Sequence, residues 1–367
     1  MYLEDKQWPK GAVYIMTNGA AENEIVVFRR FRDGTLALRD FYLTGGSGTG
    51  TREVSPVTPN DGVDPLASQG SLILSRCGRF LFAVNAGSNS ITSFRVMRDG
   101  GLVRASVVNS GGLQPNSLTQ HGRILYVSNV GSSANNFSSN ITGFYVDRCG
   151  VLTMIPNSTR TLSTANAQPA QVLFSPSGRQ LIVTELNTNR ITVFRIERNG
   201  TAALQVSNPS NGAGPFGAVF TRDCILLVAE AGANALSSYN LNADGTLTVI
   251  SGSVPTGQQA TCWVSISRCG NFAYTSNSGS GTITVFRVRD NGSLTLIENV
   301  RSTPEGTPQG APIDNGVSPN GRFFYALNGN QGTVTAFEIG ERGRLMRIQV
   351  AGGEGIPVLG TQGLAVR

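Results

Sequence analysis

The sequence is poor in charge, in histidine and in long apolar runs. Charged residues make up 14% of the chain, and His121 is its one histidine. No apolar run approaches the roughly 20 residues that a membrane-spanning helix needs, so we expect no membrane association. The net charge of +6 is modest, and no five like charges follow one another. We therefore expect no nucleic-acid partner.

Cysteine is also scarce, and its placement bears on the compartment. The chain has five cysteines and no C-x-x-C pair, and Cys77, Cys149, Cys224 and Cys269 fall in predicted turns. This pattern disfavours a metal site and favours reduced thiols in a cytoplasmic protein. The alternative is an exported protein, in which a bridge such as Cys224 to Cys269 joins neighbouring turns. The start of the chain is too polar for a secretory signal, although a removed leader would not be visible.

Glycine is abundant instead. The chain has 45 glycines, many Ser, Thr and Asn residues, and 40% hydrophobic residues, which is enough for a sizeable core. This composition is typical of a turn-rich, all-β protein. No stretch sustains the 3.6-residue apolar period of an amphipathic helix, so we predict almost no helix.

One unit recurs along the chain: a turn, a strand with a polar last residue, a short loop, a second strand and a hairpin that contains glycine. The strand-ending residues are Asn18, Asn85, Asn129, Glu185, Glu230, Asn277 and Asn328. The hairpin glycines are Gly34, Gly100, Gly150, Gly200, Gly245, Gly292 and Gly343. A four-stranded unit of this kind buries its faces only against its neighbours. Seven copies predict a seven-bladed β-propeller of four-stranded antiparallel blades.

The two ends of the chain predict how the ring closes. The first unit begins directly at Val13 and lacks an inner strand, whereas residues 361–367 form an extra strand with nothing after it. We predict that this last strand completes blade one, so that residues 1–367 form one propeller with residues 1–10 as an N-terminal extension. Asp33-Gly34 predicts a type I′ hairpin, and the long segment from Thr44 to Ser68 a loop.

The strand-ending residues and the loops to the next inner strand share one face, which we call the top face; the opposite face is the bottom face. Ligand sites of closed β architectures lie in such mouths. Glu185 and Glu230 replace Asn on the consecutive blades four and five, so we predict a catalytic acid and base. The alternative is that each caps its loop by accepting N–H bonds. Catalysis predicts that Glu185→Gln abolishes turnover at an unchanged melting temperature; capping predicts a lower melting temperature.

Further candidates surround this predicted pair. We expect polar and aromatic residues on the top face to bind substrate, and Arg160 and Arg301 to bind a carboxylate or phosphate. Trp263 is alternatively a plug of the central channel, and the arginines are alternatively solvated. Cys262 has no histidine to activate it, since His121 lies in a bottom hairpin. The other substrate-binding candidates are Gln171, Phe216, Asp314, Asn129, Asn277 and Asn328.

The repeated unit resembles the seven-bladed lactonase-like propellers, which include the 6-phosphogluconolactonase and carboxymuconate lactonizing cyclase types. Residues 174–179 (Phe-Ser-Pro-Ser-Gly-Arg) and 183–186 (Val-Thr-Glu-Leu) are the closest local matches, and the resemblance extends from about residue 11 to residue 366. It implies a metal-independent enzyme, without cofactors, that opens or closes a lactone by acid–base chemistry. Only Glu185 matches a family acid, and no top-face histidine corresponds to that of the cyclases.

Three functions are therefore compatible with the sequence. The first is a lactonase or intramolecular cyclase with its pocket on the top face over blades four to seven. The second is a propeller that directs the cyclisation of a reactive natural-product intermediate by shape. The third is a non-catalytic binding scaffold. For the enzyme, we expect a small organic substrate and a monomer or weak homodimer.

Overall fold

Seven four-stranded sheets follow one another along the chain and surround a central axis. The computed structural model describes residues 10–55, 61–353 and 355–367, so the predicted extension lies outside the described residues except for Lys10. Within each sheet the strands pair antiparallel from an inner strand to an outer one, in chain order except in blade one, whose inner strand comes from the end of the chain. The predicted seven-bladed propeller is therefore confirmed.

The strands of blades one to three include the closing strand at the end of the chain. Blade one contains β1 (Gly11–Met16), β2 (Glu24–Arg30), β3 (Leu36–Leu43) and β29 (Leu364–Val366). Blade two contains β4 (Leu72–Leu74), β5 (Phe80–Asn85), β6 (Ser90–Val96) and β7 (Leu102–Asn109). Blade three contains β8 (Pro115–His121), β9 (Ile124–Asn129), β10 (Asn140–Val146) and an outer strand split into β11 (Leu152–Met154) and β12 (Arg160–Thr161).

The remaining four blades are regular. Blade four contains β13 (Pro169–Phe174), β14 (Gln180–Glu185), β15 (Arg190–Ile196) and β16 (Ala202–Pro209). Blade five contains β17 (Pro215–Phe220), β18 (Ile225–Glu230), β19 (Ala235–Leu241) and β20 (Leu247–Pro255). Blade six contains β21 (Thr261–Ile266), β22 (Phe272–Asn277), β23 (Thr282–Val288) and β24 (Leu294–Arg301). Blade seven contains β25 (Pro312–Val317), β26 (Phe323–Asn328), β27 (Thr333–Ile339) and β28 (Leu345–Gly352).

Burial explains why the second and outer strands differ in sequence. Second strands such as β18 are buried along their whole length, because the neighbouring blades cover both faces. They therefore read as nearly continuous apolar runs. Outer strands such as β24 are covered on one side only: Leu294 is buried, and the rest of the strand is half-buried or exposed and mixes polar with apolar residues.

The closing strand joins the two ends of the chain as predicted. β29 pairs antiparallel with β1, with Val13 opposite Val366 and Ile15 opposite Leu364. The backbone N–H of Leu364 also donates to the carboxyl group of Asp314 in blade seven (2.8 Å). Closure thus fixes β29 against both blades that meet at this seam.

Buried tyrosines link neighbouring blades at the hairpin glycines. The hydroxyls of Tyr14, Tyr126 and Tyr325 donate to the backbone carbonyls of Gly100, Gly200 and Gly34, each in the next blade (2.8–3.0 Å). The buried phenol group thereby gains the partner that it needs away from water. The repeated glycine turn therefore also serves as a contact between blades.

The hairpin prediction at Asp33 was wrong in its turn type. Gly34 has a φ of 85°, whereas Asp33 is not among the residues of positive φ, and a type I′ turn requires both. The N–H of Gly34 donates to the carbonyl of Phe31, which makes a type I turn followed by a left-handed glycine. Helix is confined, in the described residues, to two 3₁₀ turns, Ser133–Asn135 and Glu341–Gly343. None there is long and apolar enough to cross a membrane.

Candidate functional site

A cavity of about 700 Å³ opens on the top face, over blades four to seven. The loop between blades one and two forms one of its walls. This loop contributes Asp61, Val63 and Asp64. The blades contribute Leu186, Asn187, Asn189, Ala213, Gly214, Phe216, Ala231, Gly232, Ala260, Cys262, Ser278, Gly279, Gln309, Gly310, Ala311 and Asn330.

Small residues at two repeated positions create this space. One position directly precedes the inner strand, and the other directly follows the strand-ending residue. The backbone N–H of the second position donates to the backbone carbonyl of the first. Blades three and four have large side chains at these positions, whereas blades five to seven have small ones. The large ones are Gln114 and Val130, and Gln168 and Leu186. The small ones are Gly214 and Ala231, Ala260 and Ser278, and Ala311 and Gly329.

Phe216 forms the floor of the cavity and packs on a second aromatic residue, Trp263. The two rings meet edge-on with centroids 5.2 Å apart. Trp263 is fully buried, and its indole N–H donates to the carbonyl of Ser68 (3.0 Å). Trp263 lines neither this cavity nor the channel described next. These contacts favour the interpretation of Trp263 as a channel plug.

A second cavity of about 370 Å³ occupies the central channel and is separate from the first. Gln171 and Asp314 line it, together with Gln69, whose side chain bonds both to the N–H and to the carbonyl of Val264 (2.9 Å each). The side-chain oxygen of Gln171 accepts from the N–H of Ala218 (2.5 Å). The structure therefore places Gln171 and Asp314 in the channel and not in the top-face cavity.

Asp314 leads to a prediction about stability and pH. Burial raises the pKa of this carboxyl to about 7, against the opposing effect of hydrogen bonds from the N–H groups of Leu364 and Asn315. The folded protein therefore retains a proton that the unfolded chain releases near pH 4, so stability falls as the pH rises from about 4 to about 7. We expect the ionisation of Asp314 to lower the free energy of unfolding by ~4 kcal/mol over this pH interval.

Urea unfolding at both ends of the interval, with wild type and Asp314→Asn, measures this contribution. The variant should lose less stability than wild type between the two pH values. It should also be somewhat less stable at the acidic end, because the amide supplies one acceptor to two N–H donors. Equal losses in the two proteins would contradict the assigned role of Asp314.

Three acidic residues of the loop between blades one and two lie beside the top-face cavity. Burial, and then the charge of Glu53, raise the pKa of Asp64 well above its usual value, although the Gln362 side chain and the Ser68 N–H oppose the rise. Burial raises the pKa of Glu53 to about 7, with a smaller contribution from Asp61. Oδ1 of Asp64 has no hydrogen-bond partner among the described residues. An acid in such a setting is a candidate for proton transfer.

Cys262 and Ser278 share the cavity wall with Asp64. Burial raises the pKa of the Cys262 thiol well above its usual value, and the nearby Asp64 raises it further, against a hydrogen bond to Ser278. The thiol therefore stays protonated, which is the opposite of what a cysteine nucleophile requires. Asp64 is the titratable group of this wall that suits acid–base chemistry.

The structure does not bring Glu185 to the cavity. Its side chain is fully buried, and Oε1 accepts from the Thr192 hydroxyl (2.6 Å) and the Ser163 N–H (3.2 Å). Oε2 accepts from the Thr188 hydroxyl (2.7 Å) and from the Ser163 hydroxyl. These four contacts favour the capping interpretation.

Glu230 is held in the same way on the next blade. Its fully buried carboxylate accepts from the hydroxyls of Ser237 and Ser253 (2.6 Å each) and from the N–H of Gly212 (2.9 Å). The residue seven positions later, Ser237 here and Thr192 after Glu185, supplies a hydroxyl in both blades. The two carboxylates thus stabilise their own blades through hydrogen bonds, and they lie outside the cavity lining.

The asparagines at this position contact the equivalent hydroxyl, but here the side-chain amide donates and the hydroxyl accepts. The amide of Asn277 donates to the hydroxyl of Thr284 (2.8 Å), and that of Asn328 to the hydroxyl of Thr335 (2.9 Å), again seven residues later. Both side chains are buried. A serine or threonine hydroxyl can donate or accept, so the position accommodates either Asn or Glu.

Glu185→Gln should therefore act on stability. The amide replaces one carboxylate oxygen, which accepts from two donors, by an NH2 group; hydroxyl donors can turn to accept from it, so we expect a loss of only ~1–2 kcal/mol in the free energy of unfolding. Glu185→Ala, which leaves every donor unpaired, should cost ~3 kcal/mol or more. Urea unfolding of both variants measures these losses. Abolished turnover by Glu185→Gln at an unchanged unfolding free energy would restore the catalytic interpretation.

The other candidates lie outside the cavity lining. Arg160 donates to the carbonyls of Asn157 and Thr159 (2.8 Å each), and Arg301 to that of Thr307 (3.3 Å). Each arginine is therefore engaged with nearby backbone carbonyls of its own segment. The amide of Asn129 donates to Asn140 (2.9 Å) inside blade three. His121 packs on Phe174, with ring centroids 5.9 Å apart, at the bottom face. Among the predicted site residues, Phe216 is the one that lines the cavity.

Sequence reasoning missed Asp61 and Asp64. The signal that could have found them was the length of their loop, since the segment between Leu43 and Leu72 far exceeds an ordinary connection. Long loops over a closed β scaffold frequently carry function. The composition of this loop alone did not indicate over which blades it would fold.

Comparison with known proteins gives the family. The model of the family "Lactonase, 7-bladed beta-propeller" matches residues 23–161 and 156–359. The chain belongs to this lactonase family. A 6-phosphogluconolactonase of Serratia proteamaculans (strain 568) is 25% identical over 193 residues, which cover 49% of this chain and 56% of that protein. A second, of Enterobacter sp. (strain 638), is 29% identical over 177 residues, which cover 45% and 51%.

The curated relatives are matched over about half of their length. Among solved structures, the periplasmic gluconolactonase PpgL of Pseudomonas aeruginosa superposes with a TM-score of 0.71 at 20% identity, covering 97% of this chain and 98% of that chain. This likeness shows the shared fold. In the described part of this lactonase-family chain, no three His, Cys, Asp or Glu side chains are grouped so that they could hold a metal ion.

Proposed function

We propose that this protein hydrolyses a lactone in the top-face cavity, with Asp64 as the general base. The observation that carries the proposal is the position of Asp64: it lines the cavity, its Oδ1 has no hydrogen-bond partner among the described residues, and its pKa is raised. Membership of the lactonase family supports the reaction class. A base with a raised pKa is better matched to proton transfer near neutral pH than an ordinary aspartate.

The proposed reaction adds water across the ring ester. Ionised Asp64 takes a proton from a water molecule, and the oxygen of this water bonds to the carbonyl carbon of the lactone. The ring C–O bond then breaks, and the proton on Asp64 passes to the departing ring oxygen, which leaves one hydroxy acid. The hydroxyl of Ser278, on the same wall, is the proposed donor to the carbonyl oxygen.

Ring closure of a hydroxy acid uses the same groups in reverse order, since both directions share one transition state. The cavity supports this second direction by its largely apolar wall, because a poorly hydrated site disfavours water as the competing nucleophile. Adding the hydroxy acid product and measuring lactone formation separates the two directions.

Hydrolysis followed by proton release in a pH-stat tests the proposal. An aryl lactone such as dihydrocoumarin should be opened, with kcat/KM rising with pH as Asp64 ionises. We propose acid–base catalysis by the chain alone, so EDTA should leave the rate unchanged. Absence of hydrolysis above the buffer rate for every lactone tried, or a rate that does not depend on pH, would overturn it.

We also propose a cytoplasmic protein that acts on a small molecule as a monomer or weak homodimer. The support is that all five cysteines are free, including Cys224 and Cys269, for which the sequence had left a bridge open. Reduced thiols are the usual state in the cytoplasm.

A further inference from the structure

The charge of the cavity is opposite to what a phosphorylated ligand needs. Among the described lining residues, Asp61 and Asp64 are the charged ones, and no Lys, Arg or His is present. A phosphate monoester carries nearly two negative charges at neutral pH and is normally held by arginine or lysine. Helix N-termini are the other common phosphate donors, and the described chain has only two short 3₁₀ turns.

The basic residues of the chain do not compensate for this. Arg160 and Arg301 are engaged with backbone carbonyls, and Arg190, opposite Glu185, is exposed; none of the three lines the cavity. The overall charge of +6 therefore does not extend into the cavity. A dianion there would face the carboxylate of Asp61, and that of Asp64 in its ionised form, without a counter-charge, which is a net repulsion.

Three amide side chains of the wall are held by hydrogen bonds to the backbone. The Asn187 amide donates to the carbonyl of Asn166 (2.9 Å), and the Gln309 amide to that of Gly279 (3.0 Å). Asn330 accepts from the N–H of Ala311 (2.7 Å) and donates to the carbonyl of Gln309 (3.0 Å). A polyhydroxylated sugar ring would bury hydroxyls with few free partners, which is costly.

The rest of the wall is apolar and the cavity is roomy. Val63, Leu186, Ala213 and Ala231 surround the face of the floor residue Phe216. The volume of about 700 Å³ is that of sites which enclose drug-sized ligands. A bare five- or six-membered lactone ring would leave much of this space unfilled.

We infer that the substrate is an uncharged lactone with an apolar body, of the aryl- or alkyl-substituted class, and not a phosphorylated or free sugar lactone. This inference rests on the proposed lactonase function. Within it, the lactone ring faces Asp64 and the apolar body packs on Phe216. The chain then has the family fold with a cavity chemistry suited to a different substrate from the one that the curated relatives are named after.

A substrate panel tests the inference. We expect kcat/KM for dihydrocoumarin and an alkyl δ-lactone to exceed that for glucono-δ-lactone and for its 6-phosphate by at least about 100-fold. A preference for either sugar lactone would overturn the inference and leave the lactonase function standing. Hydrolysis of none of the four would overturn both.

A charge variant tests the electrostatic cause. Asp61 is exposed at the cavity mouth, and Asp61→Lys should raise the ratio of kcat/KM for the phosphorylated lactone to that for dihydrocoumarin by about tenfold. Asp61→Asn, which keeps an acceptor for the N–H of Val63 (2.9 Å), should give a smaller rise and guards against a folding defect in the lysine variant. Glu22→Lys, an exposed change outside the cavity lining, controls for net charge. An equal rise in Glu22→Lys, or no rise in either Asp61 variant, would contradict the assigned cause.

Discussion

Asp64→Asn should lower kcat/KM for lactone hydrolysis by about 10²–10⁴-fold, which is the usual contribution of a general base. The amide has the same shape but cannot take a proton from water. Because burial makes the ionised form of Asp64 unfavourable, we expect the melting temperature of the variant to equal or exceed that of wild type near neutral pH. Steady-state kinetics and thermal unfolding of the same preparation measure both effects.

Asp314→Asn is the matched control for this variant. It makes the same substitution at another buried acid of raised pKa, but in the central channel and outside the top-face cavity. Its kcat/KM should stay within about threefold of wild type, since Asp314 lies outside the cavity lining and makes the smallest of the named contributions to the raised pKa of Asp64. Residual activity of Asp64→Asn within tenfold of wild type would remove Asp64 from the mechanism.

Trp263→Ala should be the most destabilising single substitution that we consider. Removing a fully buried indole leaves a void between the cavity floor and the channel, and the carbonyl of Ser68 loses one of its two donors, the other being the Gln362 amide. We expect a loss of ~3–5 kcal/mol in the free energy of unfolding. The ring of Phe216 would also lose its edge-on partner, so KM for an aryl lactone should rise. Urea unfolding and steady-state kinetics measure these effects.

Trp263→Phe separates packing from hydrogen bonding at this position. It keeps an aromatic ring near Phe216 but has no N–H for Ser68. We expect a loss of ~1–3 kcal/mol, smaller than that of the alanine variant. If Trp263→Ala costs less than about 1 kcal/mol, the indole does not plug the channel and the floor of the cavity has been misassigned.

The architecture could be predicted because one sequence unit is repeated in every blade. A strand-ending Asn or Glu and a hairpin glycine recur in every blade, and the surplus strand at residues 361–367 matches the strand missing at Val13. These are local patterns, and stacking of like units follows from burial. The turn type at Gly34 was missed because Asp-Gly is compatible both with a type I′ turn and with a type I turn followed by a left-handed glycine.

The site was harder to predict, for two physical reasons. Glu185 departs from its repeat and therefore looked functional, but the hydroxyl of Thr192 shows that it makes the contact that Asn277 makes with Thr284. That seven-residue spacing was visible in the sequence. Asp64 belongs to a loop outside the repeat, so no comparison of blades could place it, and its raised pKa arises from tertiary burial.

The crystal structure of a complex with a lactam would locate the reaction site. The bicyclic lactam with the skeleton of dihydrocoumarin replaces the ring oxygen by N–H, and its amide resists hydrolysis. We expect it to bind in the top-face cavity, with its ring on Phe216 and its carbonyl carbon within reach of Asp64 directly or through one water. A lactam bound in the central channel beside Asp314, or in contact with Glu185 or Glu230, would overturn the assignment of Asp64 as the general base.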